Sequence, residues 1–287
     1  MAGAGALRDS DAQVCVESVL ETVAECARDM EARTKRGGGR LRGPFLRHVA
    51  LLAERVHTKR YPFNIAAFSQ GIDIELTSNV TFFVGENGSG KSTLLEALAE
   101  NCGFNVEGGS RDHNFSDRKD RSELASALRL SWLPKVSDGF FMRAESFYNF
   151  ASYIDQSGSS RERYGGRSLH EQSHGESFLA LFANRFDRGI YILDEPEAAL
   201  SPQRQLSLLS IVHRPETEGR AQFLVSTHSP IILAYPGAVL LSLDGDAICA
   251  VRYKDTDHYR VTKQFLDSPD RYFRHLFSEE SDDEGSS

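Results

Sequence analysis

The sequence predicts an α/β fold built on a mostly parallel sheet, and three observations predict it. An uninterrupted apolar run, Val80-Thr81-Phe82-Phe83-Val84, leads into a glycine-rich loop. A helical pattern, Lys91 to Asn101, leads out of that loop. Further apolar runs, Ile190 to Leu193 and Gln222 to Val225, recur downstream between helical patterns. Runs without polar alternation belong to strands buried on both faces, as in a parallel sheet covered by helices.

The elements follow in chain order. From Asp11 to about Arg33, Val14, Val16, Val19, Leu20, Val23, Ala24 and Ala27 recur at roughly helical spacing and predict an amphipathic helix. Gly37-Gly38-Gly39 ends it as a flexible joint. Phe45 to Val56 is strand-like, and Ile72 to Thr77 alternates as a half-exposed strand does. These two predict an antiparallel β edge ahead of the loop. Gly103 to Asp120 is polar, and Ser122 to Leu130 reads equally as helix or strand. Phe140 to Phe150 is the densest aromatic run and reads as core rather than as a base-stacking platform. Gln156 to Gly166, rich in Gly and Ser, predicts a mobile loop. A helix is expected over Ser177 to Arg185. Val239–Leu243 and Ala247–Val251 predict a hairpin around Asp244-Gly245-Asp246. Helices near His258–Leu266 and Asp270–Phe277 close the fold.

The chemistry begins in the loop. Gly85-Glu86-Asn87-Gly88-Ser89-Gly90-Lys91-Ser92, followed by Thr93, fits G-x-x-x-x-G-K-[ST] in the strand–loop–helix setting that this motif requires. Glycines let successive N–H groups turn inward as an anion nest, and the helix start adds the positive end of its dipole. Lys91 is the cation for β- and γ-phosphate oxygens, and the Ser92 hydroxyl is a ligand for Mg²⁺. The fold class is therefore that of a P-loop nucleotide-binding domain, with ATP and Mg²⁺ as expected ligands. Ile190-Tyr191-Ile192-Leu193 ends in Asp194-Glu195, where open α/β sheets bind their ligands. Asp194 is placed to hold the metal, and Glu195 to orient or deprotonate an attacking water. Ser173-His174-Gly175-Glu176 opens a helix and, by itself, reads as a plain cap. Ser226-Thr227-His228 ends a buried strand, where a histidine can reach a phosphate oxygen.

Taken in order, these motifs resemble the ABC-type ATPase superfamily over roughly Phe45 to Val251. On that resemblance Ser173 and Gly175 belong to the signature motif, Ala198-Ala199-Leu200-Ser201 to the D-loop, and His228 is the switch histidine. The phrases VGENGSGKSTLLEALA, FFMRAESFYNF, SHGES and DEPEAALSP look like those of stand-alone bacterial predicted ATPases. They are also similar to the heads of chromosome-maintenance and repair ATPases. The resemblance implies ATP hydrolysis by Glu195 and His228 in an ATP-dependent homodimer, with Ser173 and Gly175 of one copy closing over the γ-phosphate of the other. It also implies a lateral, partly helical arm over about 103–175.

The chain departs from the family pattern at three points. His174 stands for a glycine and Ser201 for an aspartate. No glutamine lies between Gln70 and Gln156, so Arg143 or Glu145 takes the place of the Q-loop glutamine. Tyr61, Phe63 and Phe68 are the candidates for stacking adenine.

Bulk properties limit the partners. The chain has 287 residues and a net charge of −8, so its surface as a whole is not a nucleic-acid footprint. Between Arg28 and Arg60, however, ten Lys/Arg face three Asp/Glu. Such a stretch reads as a solvated arm, or as a nucleic-acid contact. No apolar run is long enough to span a membrane, and Met1 to Arg8 lacks the apolar core of a secretory signal. Cys15, Cys26, Cys102 and Cys249 are scattered without metal-ligand spacing, as expected of reduced thiols in a cytoplasmic protein. The expected organisation is an N-terminal helix and basic segment over 1–43, an ATPase domain over 44–277 and a disordered acidic tail over 278–287. The expected output is work on a nucleic acid or protein partner. The alternatives are the nucleotide-binding subunit of a membrane transporter, or a nucleotide switch or defence component with little turnover.

Overall fold

The computed structural model describes residues 42–277 except 58, 107, 111–120 and 147–173. The N-terminal helix, the Gly37–Gly39 joint, the 156–166 loop and the acidic tail lie outside the described residues.

Residues with long apolar runs form a six-stranded sheet. Its strands are β3 (Val80–Val84), β5 (Gly139–Arg143), β6 (Gly189–Asp194), β7 (Ala221–Ser226), β8 (Val239–Ser242) and β9 (Cys249–Val251). The order is β5-β6-β7-β3-β8-β9. All neighbours are parallel except β8 and β9, which pair antiparallel as Leu240↔Val251 and Ser242↔Cys249. β3 and β7 sit inside the sheet and are buried along their whole length, which is why neither shows polar alternation.

Two layers cover this sheet. Helices α1 (Lys91–Cys102) and α2 (Glu123–Ala127) lie on one face together with a separate antiparallel sheet. That small sheet has the order β2-β1-β4, from β1 (Leu46–Leu51), β2 (Asp73–Glu75) and β4 (Leu128–Trp132). Helices α3 (His174–Arg185) and α4 (Pro202–Thr217) lie on the other face, followed by α5 (Pro230–Leu233). Successive strand residues feed opposite cores: Phe82, Phe140 and Phe223 one way, Phe83, Phe141 and Leu224 the other. Helices α6 (Asp257–Asp267) and α7 (Pro269–Leu276) close the described chain.

Several expectations are refined. The antiparallel part is a sheet of its own, and β4 reaches it from beyond the loop helix. The ambiguous 122–130 segment is both things in turn, helix α2 and then strand β4. Ser122 caps α2 by accepting the Ala125 N–H at 3.1 Å. The arm expected over 103–175 is not continuous, because 121–143 returns to the body as α2, β4 and β5. The aromatic run begins as strand β5, with Phe140, Phe141 and Met142 buried. Helix α4 has no counterpart in the sequence reading. Pro202 opens it, where a missing N–H costs nothing, and Pro215 falls near its end.

One buried amide ties the two sheets together. Gln222 Oε1 accepts the N–H groups of Phe45 and Leu46 at 2.9 and 2.8 Å, and Gln222 Nε2 donates to Leu46 O at 2.9 Å. Gln222→Leu leaves all three backbone groups without a partner inside the protein. It should lower stability by about 3 kcal/mol. Urea unfolding checks this: the midpoint should fall at constant slope, and an unchanged midpoint would remove the tie from the account.

Candidate functional site

The site lies at the C-terminal ends of β3, β5, β6 and β7. The glycine loop leaves β3 there, and its backbone is shaped by three glycines at positive φ: Gly85 (147°), Gly88 (85°) and Gly90 (101°). At Gly90 a side chain is also excluded by space, since a Cβ would meet Ile65 and Phe68 at 3.0 Å. Gly85 is equally crowded, with Ser89 Oγ at 2.7 Å and Asp244 Oδ1 at 2.9 Å from its would-be Cβ. Asp244 Oδ1 also accepts the Glu86 N–H at 2.6 Å, so the turn after β8 braces the loop. Glu86 and Asn87 point outward, exposed.

Lys91 folds over the loop and is 4% exposed. Its Nζ donates to Gly85 O at 2.6 Å and Glu86 O at 2.8 Å. Burial pulls its pKa below the usual lysine value, against the attraction of Glu195, Asp244, Asp194 and Glu197.

Asp194 is the point where elements converge, and it is 3% exposed. Ser92 Oγ of α1 donates to its Oδ1 at 3.1 Å, and Ser226 Oγ of β7 to the same oxygen at 2.5 Å. Arg143 Nε of β5 donates to Oδ2 at 3.0 Å. The Arg143 guanidinium also holds Glu96 of α1 in a short ion pair. Burial works against the Arg143 charge, but Glu96 and Asp194 outweigh it and hold its pKa above the usual guanidinium value.

Glu195 is the only non-glycine residue with positive φ (51°) among the described residues. That turn takes its carboxylate out of the strand direction and brings Oε1 to 3.4 Å from His228 Nε2. Its N–H stays with the sheet, donating to Ser226 O at 3.1 Å. Glu197, one turn on, accepts the His228 N–H at 2.6 Å. Burial raises the Glu197 pKa above its ordinary value, against the hydrogen bonds it accepts.

The structure thus brings Lys91, Ser92, Asp194, Glu195 and His228 into one cluster. Thr93 stands beside it, with its Oγ1 3.1 Å from the Tyr61 hydroxyl. Tyr61 is 67% exposed, whereas Phe63 and Phe68 are buried in the core. His174 and Gly175 lie in the first turn of α3, and Ser173 lies outside the described residues. Ser201 caps α4 by accepting the Arg204 N–H at 3.4 Å. Asp244 and His258 are among the site residues to which the sequence assigned no chemistry. Asp244, read only as a hairpin turn, supports the loop. His258, 30 residues beyond His228, lies 2.7 Å from it, ring nitrogen to ring nitrogen. No local spacing signals either contact.

The residues present fit a magnesium nucleotide. The loop forms a cradle that a Cβ would fill, Ser89 Oγ is buried inside it with no protein partner, and a hydroxyl and a carboxylate meet beside it.

Comparison with known proteins gives relatives named as ATP-binding proteins. Residues 63–141 match a family model described as an AAA domain. Residues 107–234 match one described as "AAA domain, putative AbiEii toxin, Type IV TA system". Ribose import ATP-binding protein RbsA of Oceanobacillus iheyensis is 25% identical over 242 residues, which cover 76% of this chain and 48% of RbsA. The zinc import ATP-binding protein ZnuC of Paracoccus denitrificans is 24% identical over 202 residues, 63% of this chain and 74% of ZnuC. These likenesses support an ABC-type ATPase superfamily for the chain. The chain spans about half the length of the RbsA proteins it matches. Among solved structures, the SMC head domain from Thermotoga maritima aligns with a TM-score of 0.43 at 17% identity, covering 72% of this chain and 99% of that one.

Arg143 is the residue whose loss should be felt most in the fold at the site. Arg143→Ala leaves buried Asp194 and half-buried Glu96 without their shared cation. It should cost about 2 kcal/mol, after discounting for partial exposure of the Arg143 and Glu96 side chains. Denaturant unfolding of the ligand-free protein measures this, and wild-type stability in the variant would show that the triad holds nothing.

Proposed function

We propose that this chain binds ATP with Mg²⁺ and hydrolyses it. The observation that carries the reading is the Ser92–Asp194 contact at 3.1 Å, made beside Lys91 and within the same cluster as Glu195 and His228. In this reading Gly85 to Gly90 wrap the phosphates with backbone N–H groups, and Lys91 exchanges its loop carbonyls for phosphate oxygens. Ser92 and Asp194 hold Mg²⁺, which supplies charge neutralisation to the phosphates. Glu195 orients the attacking water and accepts its proton, and His228 donates to the phosphate that departs. Tyr61, exposed beside Thr93, is the residue offered to the adenine.

The working unit is the 44–277 domain, acting in the cytoplasm as an ATP-dependent homodimer. Ser173 and Gly175 of one copy close over the γ-phosphate held by the other. Hydrolysis removes the group that joins the halves. The partner is a macromolecule. In favour of nucleic acid are the exposed side chains of Arg42, Arg47, Arg55, Lys59 and Arg60, although Arg55 bonds Ser126 O and Arg60 pairs with Glu123. The names of the import relatives favour a second reading, the nucleotide-binding subunit of a membrane transporter. Among the described residues no helix is long and apolar enough to cross a membrane.

Lys91→Ala should lower ATP turnover at least about a hundredfold. Turnover in the variant equal to wild type would end the assignment. Glu195→Gln with saturating ATP should sediment as a dimer, and a monomer under those conditions would rule out the sandwich. Duplex DNA or RNA at low salt should raise the wild-type rate; no response would remove nucleic acid as the partner.

A further inference from the structure

His228 does not face the site alone. Its Nδ1 lies 2.7 Å from His258 Nε2, and the two ring centroids are 4.9 Å apart. A contact that short between ring nitrogens holds one proton, so one ring donates and the other accepts. The far side of His228 decides which. Its Nε2 is buried, makes no hydrogen bond, and stands 3.4 Å from Glu195 Oε1. A bare lone pair there would face a carboxylate oxygen, which is repulsive; an N–H facing it is attractive. A His228 ring with a single proton therefore carries it on Nε2 and accepts at Nδ1, and His258 donates from Nε2.

We propose that His258 is a positioning residue. It fixes His228 as the Nε2–H tautomer and aims that N–H across the site beside Glu195. The inference deepens the proposed hydrolysis, and rests on it for the role of His228 as a donor to phosphate.

The surroundings suit this task. His258 sits in the first turn of α6, whose N-terminus is capped by Thr256 Oγ1 accepting the Tyr259 N–H at 3.3 Å. Thr256 Oγ1 donates to Tyr253 O at 2.7 Å, and the Tyr253 hydroxyl donates to Pro230 O at 2.9 Å. Pro230 is two residues beyond His228, so the start of α6 is bound to the same turn that carries His228. Burial first, then the nearby His228 and Lys91, hold the His258 pKa below the usual imidazole value. A neutral ring keeps its single N–H for His228.

Two readouts test the proposal on the full chain. In proton–nitrogen spectra of protein carrying ¹⁵N-histidine, His228 (assigned by its loss in His228→Gln) should show an unprotonated Nδ1 and a protonated Nε2. In kinetics, His258→Ala should lower kcat roughly ten- to a hundredfold and leave the KM for ATP within about twofold. His258→Gln offers an amide N–H near the position of Nε2 and should recover most of the loss. A wild-type His228 protonated at Nδ1, an unchanged kcat in the alanine variant, or a glutamine variant as impaired as alanine would each overturn it. A wild type without turnover would sink the hydrolysis reading alone, and the spectra would still decide the tautomer.

Discussion

A single buried carboxylate organises this molecule. Asp194 sits at the end of β6, and three neighbouring elements reach it: α1 through Ser92, β7 through Ser226 and β5 through Arg143. An ionised group at that depth is tolerable only if each oxygen is paired. The sheet order supplies the pairing. With β5 and β7 on either side of β6, the register sets Arg143 and Ser226 opposite Asp194. The loop then delivers Ser92 from above. The aspartate is thus a keystone of the fold as well as a candidate metal ligand.

The same geometry sets the charge of the site. Lys91, Arg143, Asp194, Glu96, Glu195 and Glu197 crowd one end of the sheet, and the two cations do not share work. Arg143 is committed to two carboxylates, while Lys91 is bonded only to loop carbonyls, which a phosphate oxygen can replace at little cost. Arg143, one of the two residues expected in place of the Q-loop glutamine, is the one that reaches Asp194. It places a positive charge on the candidate metal-binding carboxylate itself. Any cation entering there must share Asp194 with a guanidinium.

Much of this was legible in the sequence because it is local. The loop motif, the strands Val80–Val84 and Ile190–Asp194 and the hairpin are carried by contiguous residues whose period or composition dictates their form. What was illegible depends on distance along the chain. Helix α4 hides behind two prolines and a polar buried face that includes Gln205 and Ser207. Strand β4 joins β1 across some eighty residues, and no pattern in either strand names its partner. His258 and Asp244 acquire their roles only when the turns after β7 and β8 fold onto the loop end of the sheet. Ser201, where an aspartate was expected, serves as the N-cap of α4. The adenine candidates separated only once burial distinguished exposed Tyr61 from interior Phe63 and Phe68.

Everything proposed for the chemistry requires that Asp194 and Ser92 bind a metal together with a triphosphate. Calorimetric titration of the wild type and Asp194→Asn with ATP, in magnesium and in excess chelator, tests that requirement most directly. Wild-type affinity should fall at least about tenfold without magnesium, and the variant should bind weakly and equally in both buffers. Wild-type affinity that is the same with and without magnesium would contradict it.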